Sequence, residues 1–208
     1  MVNNNKLIIA IILLIILSSF SIYNISKIKG YENDLNIIKE NLQYKEKLIK
    51  ILNINMIRQY VSENSRIDNK LTLIDNKGER HLYSSIINEK MVVIRVVSSS
   101  CNACLEDLIK NIYSQLNKYD ISQKIFIFSN VSNYREFLTF VKYHALPPES
   151  CYFIENHKLL NVHIEKFNPF IYMYIAENNK IIRNVFVPVI SNPDLTNDYF
   201  SYINTLIN

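Results

Sequence analysis

Residues 71–207 predict a mixed α/β sandwich, and the residues before them predict a membrane-spanning helix followed by a helical stalk. Three observations carry that expectation. The run 91–97, MVVIRVV, is β-branched almost without a break, as in a strand covered on both faces. An amphipathic segment and a second apolar run, KIFIF at 124–128, follow it, which makes a βαβ unit. Residues 6–25, KLIIAIILLIILSSFSIYNI, carry no charge after Lys6.

Composition narrows the classes further. The chain has 208 residues, 49% apolar and 20% charged, enough for one ordinary domain with attachments and too apolar for a disordered segment. Gly30 and Gly78 are its two glycines, so no glycine-rich phosphate loop can be assembled. Three cysteines are too few for a disulfide-stapled mini-fold or a four-thiolate zinc site. A formal net charge of +4, with the basic residues scattered, offers no electrostatic reason to expect nucleic acid.

The first 25 residues read as an anchor. About 20 helical residues span the roughly 30 Å hydrocarbon layer. A cleaved secretory signal is the competing reading, because the densest apolar run, 7–17, has the length of a signal core. Ser18-Ser19-Phe20-Ser21 followed by Ile22-Tyr23 is a poor cleavage exit, so an uncleaved anchor is expected. Lys6 on one flank against Lys27, Lys29 and Lys39 on the other leaves orientation unsettled by charge.

Residues 26–66 form the stalk. Leu35, Ile38, Leu42, Ile49, Leu52 and Met56 fall on three- and four-residue steps, with Lys45 the one violation, and make an apolar stripe on a helix. A parallel homodimer would use such a stripe. The alternative is a helix packed on the domain or lying at the membrane surface.

The third segment, 67–208, reads in order as follows. Strands at 71–74 and 81–83 flank a turn in which Gly78 supplies a positive φ. The covered strand 91–97 comes next. Leu105, Leu108, Ile109, Ile112 and Leu116 share one side of a helix. After the strand 124–128 come a helix at 134–143 closed by Pro147-Pro148, a short strand at 150–154 and a brief helix at 157–164. Strands 170–175 and 181–187 flank the polar turn 177–180. A final helix spans 194–207, with Asp194 after Pro193 as its expected N-cap.

The chemistry is expected at the end of the covered strand. Ser98-Ser99-Ser100 leads into Cys101-Asn102-Ala103-Cys104, and then the amphipathic helix starts. A cysteine at a helix N-terminus meets unpaired N–H groups and the positive end of the dipole, which favour thiolate. A spacing of i, i+3 in the first turn brings the second thiol within disulfide reach. One sulfur can attack a partner's disulfide while the other resolves the mixed intermediate. Taken alone the motif is also compatible with half of a metal site.

From 71 onward the chain resembles the thioredoxin-like superfamily, nearest the membrane-anchored bacterial TlpA/ResA-type thiol-disulfide oxidoreductases. The resemblance rests on ordered features: the Asp75-to-Gly78 turn, the buried strand, the Cys-x-x-Cys motif, Asn168-Pro169-Phe170-Ile171, and the turn 177–182 that resembles the family's D-x-x-G-x-I. It implies a three-layer α/β/α sandwich with a mixed central sheet. It also implies Cys101 as nucleophile, Cys104 as resolving thiol, Pro169 as a cis-proline facing the cysteines and Asn168 as a backbone clamp for substrate. Protein thiols and disulfides, with a redox partner protein, would be its partners, with no bound cofactor and no metal. The domain would sit on the extracytoplasmic side of the cell membrane, tethered through residues 6–25, where disulfides persist.

The sequence departs from the family at several points. Ser100 stands where a tryptophan usually precedes the first cysteine, and Ala103 where proline is common before the second. Arg95 occupies the position, six residues before Cys101, of a buried carboxylate. An arginine there favours thiolate if it points at the sulfurs; alternatively it snorkels to the sheet edge. Glu106 and Asp107 are expected to satisfy donors at the helix start. Cys151 reads as a buried, inert thiol. His157 and His163 precede Pro169, but copper-delivery relatives carry a CxxxC motif, so copper is not expected. His81 and His144 read as surface residues, and Tyr134, Tyr172 and Tyr174 as core or sheet-face residues. No threonine and proline precede Cys101 as a peroxiredoxin would require. A non-catalytic thioredoxin-like binding or scaffold module at the membrane is the alternative function.

Overall fold

The computed structural model describes residues 2–68, 70–97, 102–121, 124–129, 131, 133–154, 160, 162–167, 171–177, 181–189 and 192–207. The chain divides into two compact units, Met1–Asn53 and Ile54–Asn208. Helix α1 (Val2–Ser62) supplies the whole described part of the first unit and continues into the second.

In the first unit the apolar side chains from Ile8 to Ile25 are 49–68% exposed. Among the described residues this is the one helix long and apolar enough to cross a membrane. Its Ser18 and Ser19 hydroxyls both donate to the Ile15 carbonyl, at 2.8 and 2.9 Å, so neither asks for water. Leu35, Ile38, Leu42, Ile49 and Leu52 of the stalk stripe are exposed in the single chain.

The second unit is built on one mixed sheet of β1 (Thr72–Ile74), β2 (Arg80–Leu82), β3 (Met91–Val96), β4 (Lys124–Phe128), β5 (Cys151–Phe153), β6 (Ile171–Ala176) and β7 (Ile182–Phe186). The spatial order is β2-β1-β5-β4-β3-β6-β7. β3 pairs in parallel with β4 and antiparallel with β6, and β4 pairs in parallel with β5. All six residues of β3 are buried. That agrees with the unbroken β-branched run and with its central place in the sheet.

Alternation along the strands sorts the core into two layers. Val92, Ile94 and Val96 face one side with Phe126, Phe128 and Met173, under α3 (Asn102–Lys118), α4 (Tyr134–Tyr143) and α5 (Pro193–Ile207). Met91 and Val93 face the other side with Ile127, Tyr172 and Tyr174. There they are covered by Ile67, by Tyr83 of the short helix α2 (Tyr83–Ile86), and by Leu160, Val162 and Ile164. Both parallel crossovers, through α3 and α4, lie on the same face, as successive crossovers in one direction require. The architecture is therefore the expected α/β/α sandwich, with the third layer made of short helical pieces.

Local differences from the sequence reading have identifiable causes. Tyr83 is fully buried, and the chain turns into α2 there rather than extending the edge strand. The 150–154 strand is shortened to β5 because Pro148–Ser150 forms a 3-10 turn. Of the expected helix at 157–164, residues 157–159 and 161 lie outside the described residues; a 3-10 turn covers His163–Phe167. α5 begins at Pro193, where the missing N–H costs nothing. Asp194 therefore lies inside the first turn rather than capping it. Gly78 has φ +84, and the Asp75 carboxylate accepts the backbone N–H groups of Lys77 and Glu79 across the same turn.

Candidate functional site

β3 ends at Val96 and α3 starts at Asn102. Asn102, next after Cys101 in the chain, is the first described residue of the helix, and the backbone of Cys104 is helical. Ser100, Cys101, Asn168 and Pro169 lie outside the described residues, as do the side chains of Asn102, Ala103 and Cys104. His157 lies outside them too. No cis peptide bond occurs among the described residues.

Around this junction the described side chains are well ordered by packing. On α3, Leu105, Leu108, Ile109, Ile112 and Leu116 are buried against the sheet. Glu106 is paired with Lys110, one turn further along α3, at 2.7 Å. The Lys110 ammonium holds the Glu106 carboxyl below its usual range. Asp107 is exposed and edges a cleft of about 250 Å³, lined also by Leu108, Asn111, Val189, Pro193 and Thr196. The cleft runs between α3, beginning one turn past Cys104 in the sequence, and the start of α5.

Arg95 is 0% exposed, so the snorkelling alternative is corrected: neighbouring strands close both edges of β3 and leave no rim to reach. It shares a face with Met91 and Val93, opposite the body of α3. Its Nε donates to Glu165 Oε1 at 3.1 Å, and its Nη1 donates to the Val96 and Ile127 carbonyls, both at 3.3 Å. Glu165 is itself 2% exposed. Its Oε1 also accepts the Tyr172 hydroxyl at 2.9 Å, and its Oε2 accepts the Leu160 backbone N–H. Burial, reinforced by the Glu165 charge, raises the Tyr172 phenol well above its ordinary pKa. It therefore remains an O–H donor at neutral pH. The Tyr172 and Tyr174 rings stack at 5.8 Å, and Tyr174 shares a hydrogen bond of 3.3 Å with Tyr83.

Glu165 is the residue that reading the sequence missed. Its signal was indirect: an arginine inside an otherwise apolar, covered strand demands a buried counter-charge. Nothing in the spacing says which carboxylate supplies it.

Cys151 is fully buried under α4, and burial pushes its thiol pKa far up, as expected of an inert core thiol. In the folded full chain a maleimide is expected to leave Cys151 unmodified and to label it only after denaturation. Mass mapping of the labelled peptide before and after urea checks this. His163 is exposed. His81 Nε2 contacts Asp75 Oδ2 at 3.0 Å, and with Glu79 these are three ligand-type groups whose atoms lie within 4.8 Å. Asp75 is already engaged there by the turn's backbone and by His81. His144 is half-buried beside Phe140, and burial lowers its pKa.

No family model matches the chain, and no curated protein matches it. Solved structures do. A thiol:disulfide interchange protein from Bacteroides sp. superposes with a TM-score of 0.51 at 11% identity, covering 71% of this chain and 91% of that one. The thioredoxin domain of a thiol-disulfide oxidoreductase from Bacteroides vulgatus gives 0.50 at 9% identity, covering 70% and 98%. Copper-bound ScoI from Arabidopsis thaliana gives 0.45 at 13% identity, covering 67% and 99%. Identities this low establish a shared fold and nothing finer. The fold is that of the thioredoxin-like proteins.

Proposed function

We propose that this thioredoxin-like chain is a membrane-tethered thiol-disulfide oxidoreductase that exchanges disulfides with other proteins through Cys101 and Cys104. The observation that supports this is the junction itself. A strand buried on both faces leads to a helix whose first described residue, Asn102, is next after Cys101 in the chain. The N-terminus of a long helix presents unpaired N–H groups and a partial positive charge, which stabilise thiolate over thiol.

The reaction follows from two thiols. The Cys101 thiolate attacks one sulfur of a substrate disulfide, forming a mixed disulfide and releasing the other substrate sulfur as a thiolate that takes up a proton. The Cys104 thiolate then attacks Cys101 in the mixed disulfide. The substrate leaves as a dithiol and the protein keeps the two-electron oxidation as a Cys101–Cys104 disulfide. A dithiol reductant or a partner protein returns it to the reduced form. Asn168 and Pro169 are proposed to seat the substrate chain, and the exposed apolar stretch of α1 to anchor the protein with its domain on the extracytoplasmic side.

Cys101→Ser is expected to abolish reduction of insulin by the full chain in detergent with dithiothreitol as electron source. Cys104→Ser is expected to accumulate a mixed disulfide visible on a non-reducing gel. A reduced wild-type chain that leaves insulin oxidised, with thiols that do not titrate below the ordinary cysteine range, would favour a tethered binding module instead.

A further inference from the structure

The Arg95–Glu165 pair connects two parts of the chain that the oxidoreductase reading needs together. Arg95 lies six residues before Cys101, and Glu165 three before Asn168. Arg95 also donates to the carbonyls of Val96, the last residue of β3, and of Ile127 near the end of β4. Glu165 holds Leu160 through its backbone N–H and Tyr172 near the start of β6. Among the described residues of the 160–167 segment, the regular piece is the 3-10 turn His163–Phe167, and the segment packs on the sheet through Leu160, Val162 and Ile164.

Apolar contacts of that kind are non-directional. They hold the segment down on the sheet without fixing where along the sheet it sits. A buried carboxylate is directional, because both of its oxygens must be satisfied, and here each one is.

We propose that Glu165 is a positioning residue: its bonds to Arg95, Tyr172 and the Leu160 N–H pin the 160–167 segment to the C-terminal end of β3 and the start of β6, and so set where the chain enters Asn168–Pro169, the pair that the oxidoreductase reading assigns to a protein substrate. This inference rests on the oxidoreductase reading and goes beyond it. Arg95 takes the sheet face away from the body of α3, and the effect proposed for the pair is exerted through the 160–167 segment. A small disulfide needs only the thiol pair. A protein disulfide also needs Asn168–Pro169, and misplacing a positioning element by an ångström is enough to cost it binding.

The test uses the full-length chain in detergent, with insulin and a small aromatic disulfide as substrates, at a temperature where near-ultraviolet circular dichroism shows each variant folded. Glu165→Gln is expected to raise KM for insulin about tenfold while kcat stays within about threefold, with the small-disulfide rate within about twofold of wild type. Arg95→Lys keeps a cation opposite Glu165 and is expected to hold KM within about threefold of wild type. Tyr172→Phe removes one hydroxyl at little structural cost and is expected to raise KM about two- to threefold. It decides the matter if Glu165→Gln fails to fold. A parallel fall of both substrates' rates, or a folded variant with unchanged KM for insulin, overturns the positioning role while leaving the oxidoreductase reading in place. A wild-type chain unreactive toward both substrates overturns the oxidoreductase reading, and the positioning role with it.

Discussion

Phe128→Ala is expected to destabilise the α/β domain by about 3–5 kcal/mol, the range for truncating a fully buried aromatic. Phe128 is 0% exposed and is the hub of the aromatic layer beneath α4. Its ring lies 5.8 Å from Phe137, 5.3 Å from Phe140 and 6.3 Å from Phe126, and Phe137 stacks in turn on Phe153 at 5.9 Å. Truncation removes the apolar area of the ring and leaves a cavity that rigid strands β4 and β5 cannot close. Each lost ring pair adds roughly 0.5–1.5 kcal/mol beyond the area. Phe128→Leu, which refills much of the volume but loses the same ring pairs, is expected to cost about 1.5–3 kcal/mol, less than the alanine variant. Urea unfolding of the full chain in detergent, followed by near-ultraviolet circular dichroism of its tyrosines, gives both numbers. A Phe128→Ala midpoint equal to wild type would mean that this layer does not hold the domain together.

Glu165→Ala is expected to cost a similar amount, about 3–5 kcal/mol, for an electrostatic reason. It leaves the Arg95 guanidinium in a fully buried site without its carboxylate, and strips the acceptor from Tyr172 and from the Leu160 N–H. Burying an unpaired charge is far more expensive than losing a pair. Adding Arg95→Met to Glu165→Ala is therefore expected to recover about 2 kcal/mol rather than add a second penalty. Recovery stays incomplete because the Leu160 N–H remains without its carboxylate. Additive losses in the double variant would show that the two side chains contribute independently and that the 3.1 Å contact carries no coupling.

Much of this fold was legible from residues alone because the signals were periodic. The MVVIRVV and KIFIF runs marked the two central strands, and the 105–116 stripe marked the helix between them. Tyr134 to Tyr143 gave a helix with the bounds the structure shows, since Asn133 caps it by accepting the Glu136 N–H. Periodicity failed where the chain is short and irregular. α2 and the 3-10 turn before Asn168 are too brief to show a period, and their conformation follows from which side chains the sheet must cover. The covered strand and the amphipathic helix on either side of the cysteine motif were legible, while Cys101 itself lies outside the described residues. The seating of Arg95 was not legible, because a single residue cannot reveal its partner seventy positions away.

The order of elements, the long apolar N-terminal helix and the helical backbone at Asn102–Cys104 after the covered strand were determined by the sequence alone, because each depends on residues near one another in the chain. Only the tertiary structure decided that Arg95 turns away from α3 and closes on Glu165, and that Phe128 gathers three aromatic neighbours. Those outcomes depend on strand order and on which face each residue takes, and both are set when the whole sheet assembles.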